Sequence, residues 1–479
     1  MLARLVILAL LCSTTPVALA AVPTPTVEGP VTGGHGTPFV AATTFDLGAV
    51  GYMQEEFFIS GTATAYTSAT PLTSDGHWTV TPGDTAPYKT RILVYRPIRP
   101  GDFNGTVVVE WLNVSGGLDA AADWIGMHTE LIREGCAWVG VSAQFVGVEP
   151  GESLLGIVPF PLKVVDPVRY GSLSHPGDSF SYDIFSQAGE AVRQALNTRI
   201  LGAVRVRHVI AVGESQSAFR FVTYINGVHP LAHVYDGYLV HSRGGNGAPL
   251  AEAPQTAISV PTPAFTRDDL DVPVLTFETE TDLTFLGYRA VQQPDGPRFR
   301  LWEVAGTAHA DTYTVVVGMT DLGKSPDAAK LVVTSTPLPG VIECPLPINS
   351  GPQHFVLDAA VAALNRWVAG GASPAVAPRL QLNGATLARD AHGNVLGGIR
   401  TPEVDVPLAR LTGQLQPGSI LCALFGITSP FDAATLSALY PTPRSYVSAF
   451  NQATRRAVRA GFILDHDARL MKAAARSVF

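Results

Sequence analysis

The chain has 479 residues, 46% of them hydrophobic and 15% charged, with a formal net charge of −8 at pH 7. That composition excludes a disordered chain, and the acidic balance excludes a nucleic-acid footprint. The length allows a sizeable core and, at ~150 residues per domain, either three domains or one domain enlarged by insertions.

The chain opens Met1-Leu2-Ala3-Arg4, runs apolar from Leu5 to Cys12 and reaches Ala18-Leu19-Ala20. One positive charge, a short apolar core and an Ala-x-Ala site predict a secretory signal peptide over 1–20, and with it a secreted or periplasmic protein. The apolar run is too short to cross a bilayer, and no later stretch is long and apolar enough, so no membrane span is expected. Residues 21–100 are rich in Gly, Pro and Thr with short apolar stretches, such as Glu55-Glu56-Phe57-Phe58-Ile59, and read as antiparallel strands and turns leading into a sheet.

From 101 to 372 strands and helices alternate. Strands are predicted over 106–112, 137–142, 208–214, 234–241, 272–278 and 298–304, and helices over 118–134, 183–197 and 355–368. This order implies an α/β chain whose mostly parallel sheet carries helices on both faces through right-handed crossovers. Two Pro- and Gly-rich insertions, 243–271 and 310–353, lie where lids usually sit. Residues 373–479 read as a strand-rich extension packed on the core. It closes in helices, with Tyr446, Val447, Phe450, Ala453, Ala457 and Val458 on one apolar face and Gly461 as a stop.

Candidate chemistry centres on Gly213-Glu214-Ser215-Gln216-Ser217, where an apolar strand turns sharply into a helix. A strained turn of this kind lifts a serine out of the sheet and aims a helix N-terminus at it. Small residues are needed two positions to either side. Ser215 has Gly213 and Ser217 there, whereas Ser217 would have the bulky Phe219. A serine hydroxyl needs a base, and the base needs an acid to orient it. In a doubly wound sheet both belong at the carboxyl ends of later strands. His309 follows the strand over 298–304. Asp282, with Glu280 as the alternate, follows the strand over 272–278, and Glu278 belongs to the strand end. His354 is the second choice of base. The oxyanion of a tetrahedral intermediate needs N–H donors, expected from Gln216 and from Val114 or Ser115 in the loop Asn113-Val114-Ser115-Gly116-Gly117.

Of the cysteines beyond the first 20 residues, Cys136 opens an apolar strand, where a buried free thiol is ordinary. The expected disulfide is Cys344–Cys422, and three buried thiols are the alternative. No His-Glu-x-x-His run and no paired Cys-x-x-Cys occurs, so neither metal nor cofactor is expected.

Several segments together resemble the large exported bacterial α/β-hydrolase domain proteins. They are the stretches 88–94, 104–114, Tyr170-Gly171-Ser172-Leu173-Ser174-His175-Pro176-Gly177-Asp178, the serine turn, and Ala305-Gly306-Thr307-Ala308-His309-Ala310-Asp311. The resemblance implies an α/β-hydrolase fold, with Ser215 as nucleophile and His309 as base. It also draws attention to His175 and Asp178, for which holding a loop is the expected role. The expected function is a secreted serine hydrolase acting on a small-molecule carboxylic ester through an acyl-enzyme. A lactonase, thioesterase or peptidase would use the same triad, and a non-catalytic binding protein on the same fold is the alternative from another class.

Overall fold

The computed structural model describes residues 21–478; the predicted signal peptide lies outside them. A nine-stranded sheet organises the chain, with spatial order β1-β2-β3-β5-β4-β6-β7-β8-β9. The strands are β1 (Thr26–Glu28), β2 (Tyr52–Thr67), β3 (Thr81–Pro97), β4 (Thr106–Trp111), β5 (Ala137–Val141), β6 (His208–Glu214), β7 (Gly237–His241), β8 (Val274–Thr279) and β9 (Phe299–Val304). The first three pair antiparallel, as does β3 with β5, and from β5 to β9 every pair is parallel. Antiparallel neighbours need only a hairpin, and parallel ones need a crossover. The change of composition near residue 100 marks that change of pairing.

The parallel strands are apolar on both faces because both are covered. Val107, Val109 and Trp111 of β4 join Val209 and Ala211 of β6 in one core, while Val108 joins Ile210 and Val212 in the other. This is the two-residue period of a strand. Each valine or isoleucine so buried contributes ~1.5–3 kcal/mol. Helices α2 (Ser181–Arg193) and α3 (Gln216–Thr223) pack on the first face. Helices α1 (Ala122–Glu134) and α4 (Gln353–Val368) pack on the second, where Trp124 and Trp367 are buried.

Helix α1 starts later than its apolar spacing suggests. Asp119 is held by Arg91 Nη2 at 2.5 Å and Ser142 Oγ at 2.6 Å, and Ala120 pairs with Asn113. The helix then begins where the Glu110 carboxylate reaches from β4 to accept from Asp123 N at 2.9 Å and Trp124 N at 2.8 Å. Likewise β7 begins at Gly237, because Val234 and Asp236 serve a turn. The carbonyl of Val234 accepts from Arg193, and Asp236 bonds both ways with the Val209 backbone.

The C-terminal part is helical rather than strand-rich. Its strands are short two-stranded ladders, Leu382–Asn383 with Thr386–Leu387 and Ala409–Thr412 with Ile427–Pro430. The long elements are α5 (Pro443–Ala460) and α6 (Asp465–Ala475). Thr442 caps α5 through Ser445, and Gly461 ends it in the left-handed conformation at φ 82°. Tyr446, Phe450, Ala453 and Ala457 of α5 enter the second core, and Leu380, Val395 and Val404 enter the first. No helix among the described residues is long and apolar enough to cross a membrane.

Candidate active site

β6 delivers Ser215 to the carboxyl edge of the sheet with φ 56° and ψ −118°, a backbone region that side-chain-bearing residues seldom occupy. Such strain costs of order 1–3 kcal/mol and persists only where the surroundings enforce it. Here they do. A Cβ on Gly213 would stand 2.8 Å from Phe221 Cε2 and 3.0 Å from Ser217 Cβ, so only glycine lets the strand pass so close to α3. Ser215 N–H donates to the carbonyl of His241 at 2.9 Å. Ser217 is fully buried, and its hydroxyl has no hydrogen-bond partner among the described residues. It therefore fills the inside of the turn.

β9 ends in Ala305-Gly306-Thr307-Ala308, and His309 follows. Its Nε2 lies 2.8 Å from Ser215 Oγ and its Nδ1 lies 2.7 Å from Asp282 Oδ1. Asp282 stands in a one-turn helix, Glu280–Thr284, that follows β8. Its two oxygens have separate tasks. Oδ2 accepts from Thr279 N and Thr279 Oγ1, each at 2.7 Å, and Oδ1 is left for the imidazole. Burial pushes the Asp282 carboxyl up, but His309 and the Thr279 hydrogen bonds hold it below its ordinary value. Burial presses His309 down, yet the neighbouring Asp282 carboxylate raises it above its ordinary value overall.

The alternate acid, Glu280, points elsewhere. Its Oε1 accepts from Gly306 N at 2.7 Å, and its Oε2 accepts from Gly413 N at 3.0 Å and Thr412 Oγ1 at 3.1 Å. It fastens the loop that carries His309 to the C-terminal extension. Glu278 is buried at the strand end, where burial and the nearby Asp282 push it well above the carboxylate range. His354, the second choice of base, is stacked flat on Tyr313 with ring centroids 3.5 Å apart, and neither ring nitrogen has a partner among the described residues.

The predicted oxyanion donors separate in the same way. Gln216 opens α3 directly after the serine. Ser115 does not remain a donor, because its N–H is already given to Asn113 Oδ1 at 2.8 Å. Asn113 also donates from Nδ2 to the carbonyl of Glu214 at 3.1 Å and to Glu214 Oε2 at 3.0 Å, tying the loop to the serine turn. His175 and Asp178 hold loops. His175 bonds the carbonyl of Ala143 and the N–H of Gly177, and Asp178 accepts from Phe145 N at 2.6 Å and Arg220 Nη2 at 3.0 Å. Cys344 and Cys422 form a disulfide, which joins the 310–353 insertion to the C-terminal extension, and Cys136 is a buried free thiol.

Sequence reasoning missed a polar layer beside the Ser215–His309–Asp282 hydrogen-bond chain. Glu214 Oε1 lies 3.3 Å from His309 Nε2, and burial raises its carboxyl to about 7 despite the nearby His309 and His241. His241 Nδ1 lies 2.8 Å from Asp123 Oδ1. A cavity of about 90 Å³ adjoins these groups, lined by Glu214, His241, His309, Asp311 and Gln353 among others. The only linear signal was the position of Glu214 between the glycine and serine of the turn.

Residues 27–473 match the model of the alpha/beta hydrolase domain family, and the chain belongs to that family. No curated protein matches its sequence. Solved structures similar to it include one of two esterases of the fungus Rhizomucor miehei, at 14% identity over 65% of this chain and 85% of that one, with a TM-score of 0.28. A putative dienelactone hydrolase from Klebsiella pneumoniae is similar at 13% identity over 51% and 85%, with a TM-score of 0.27. A glucuronoyl esterase from Solibacter usitatus is similar at 10% identity over 59% and 82%, with a TM-score of 0.28.

Proposed function

We propose that the protein is an exported serine hydrolase that cleaves carboxylic esters of small molecules through an acyl-enzyme. The observation that carries this reading is the unbroken hydrogen-bond chain from Asp282 through His309 to the strained Ser215. Ser215 Oγ attacks the acyl carbon while His309 Nε2 takes its proton. Asp282 keeps Nδ1 protonated and steadies the imidazolium that forms. The N–H groups of Gln216 and Val114 receive the oxyanion, and α3 adds the positive end of its dipole. When the intermediate collapses, His309 returns the proton to the leaving alkoxide. Water then repeats the sequence on the acyl-enzyme and releases the carboxylic acid.

A fluorophosphonate probe tests the nucleophile. It is expected to label the wild type and to spare Ser215→Ala, and equal labelling of both refutes the assignment. Hydrolysis of a panel of acetyl, butyryl, aromatic and sugar esters tests the reaction. A folded protein that turns over none of them and resists the probe is a binding protein.

A further inference from the structure

At the opposite edge of the sheet from Ser215, three side chains converge on one point. His229 and His233 belong to the turn of helix before β7, and Asp271 lies just ahead of β8. His229 Nε2 is 2.8 Å from Asp271 Oδ1, and His233 Nδ1 is 3.1 Å from Asp271 Oδ2. The three ligand atoms lie within 4.8 Å of one another. His233 turns back toward its neighbour because it adopts the left-handed conformation at φ 46° and ψ 38°, leaving the two ring centroids 5.3 Å apart.

We propose that His229, His233 and Asp271 form a binding site for one Zn²⁺-like divalent cation. Two imidazoles and one carboxylate suit a borderline-soft ion, whereas Mg²⁺ and Ca²⁺ prefer oxygen ligands throughout. Water completes the coordination on the exposed side, where His233 and Asp271 are half-exposed.

The second sphere fits as well. His229 Nδ1 lies 2.9 Å from the hydroxyl of the buried Tyr238. A metal on Nε2 requires the proton on Nδ1, and the Tyr238 oxygen accepts it. With the metal absent, Nε2 holds the proton for Asp271 and the Tyr238 hydroxyl donates to Nδ1. The Tyr238 hydroxyl can thus partner the ring in either tautomer, as acceptor in one and donor in the other. Burial also holds His229 below the ordinary histidine value, which favours the neutral ring a metal needs.

Such an ion ties the start of the β8 segment to the helix ahead of β7. Because Ser215, Asp282 and His309 lie at the other edge, its effect is on stability and leaves ester chemistry unchanged. The sequence search for linear ligand runs did not find this site, since Asp271 joins a histidine pair 42 and 38 residues away.

The test is calorimetric titration of the full chain, stripped with chelator, with Zn²⁺, Mg²⁺ or Ca²⁺. One Zn²⁺ is expected to bind, far more tightly than the other two ions, and to raise Tm. His233→Ala removes a half-exposed ligand and is expected to weaken Zn²⁺ binding at least ~10-fold while basal activity is unchanged. His77→Ala is the control, because His77 forms an exposed group with Asp268 and Asp269, which lie on the segment leading to Asp271. No Zn²⁺ binding, binding that His233→Ala leaves intact, or binding lost in His77→Ala instead overturns the proposal.

Discussion

The Gly413 N–H donates to the Glu280 carboxylate at 3.0 Å, across 133 residues of sequence. The contact leaves no spare room: a Cβ on Gly413 would stand 2.6 Å from Glu280 Cβ, Thr281 N and Thr307 O. One glycine of the C-terminal extension thus sits between the turn that bears Asp282 and the loop that bears His309. Gly413→Ala is expected to push the two apart and to lower kcat at least ~10-fold, since misplacements of about 1 Å cost ~100-fold. Steady-state kinetics on a nitrophenyl ester checks this, and wild-type kcat refutes it.

The two carboxylates of that turn are expected to fail differently. Asp282→Asn removes the group that orients His309, and kcat is expected to fall ~10⁴-fold. Glu280→Gln leaves His309 and Ser215 in contact but weakens an acceptor of three hydrogen bonds, so its main cost is stability, ~1–3 kcal/mol. Urea unfolding and kinetics measured on both variants separate the roles, and exchanged outcomes would reverse the assignment.

Acidity is expected to act through His309 and Glu214 together. The base must be neutral in the free enzyme, and its folded value lies above 6.5, so kcat/KM should rise with pH along a limb centred above 6.5. The Glu214 charge raises His309, so Glu214→Gln should move that limb to lower pH. Stability follows the same residue. Glu214 changes from 4.5 to about 7 on folding. Between these values the folded chain keeps a proton that the unfolded chain has released, and stability falls as pH rises through the window. Glu214→Gln should flatten that decline. A pH–rate profile and thermal unfolding across pH 4 to 8 read both effects, and an unmoved limb refutes the coupling.

Opening the Cys344–Cys422 disulfide, which spans 78 residues, is expected to cost about 4.5 kcal/mol by loop entropy. Because the bond fastens the 310–353 insertion to the extension, reductant should destabilise the wild type, whereas the stability of Cys422→Ser should be insensitive to it. Chemical denaturation with and without dithiothreitol checks this. A wild type unaffected by reductant contradicts the linkage.

The serine turn was legible because its sterics are local: Gly213, Ser217 and Phe219 lie within six residues of one another, and they alone choose Ser215. His309 was legible as the first histidine after a late strand. The choice between Asp282 and Glu280 was not, because both occupy one helical turn. What separates them is Thr279, which claims one Asp282 oxygen, and Thr412 and Gly413, which claim Glu280 from far along the chain. Ser115 failed as a donor for a similar reason, since the side chain two residues earlier takes its N–H. The extension misled because its Pro, Gly and Thr content resembles that of strand-and-turn regions, while the Thr442 cap and the apolar face of α5 were readable.

The buttress at Gly413 also bears on timing during synthesis. The serine turn and both its partners are encoded before residue 310, yet the braces on their loops come from Thr412, Gly413 and the strand pair Ala409–Thr412 with Ile427–Pro430. A nascent chain that has not yet produced its last seventy residues or so holds all three reactive side chains without the scaffold that aligns them.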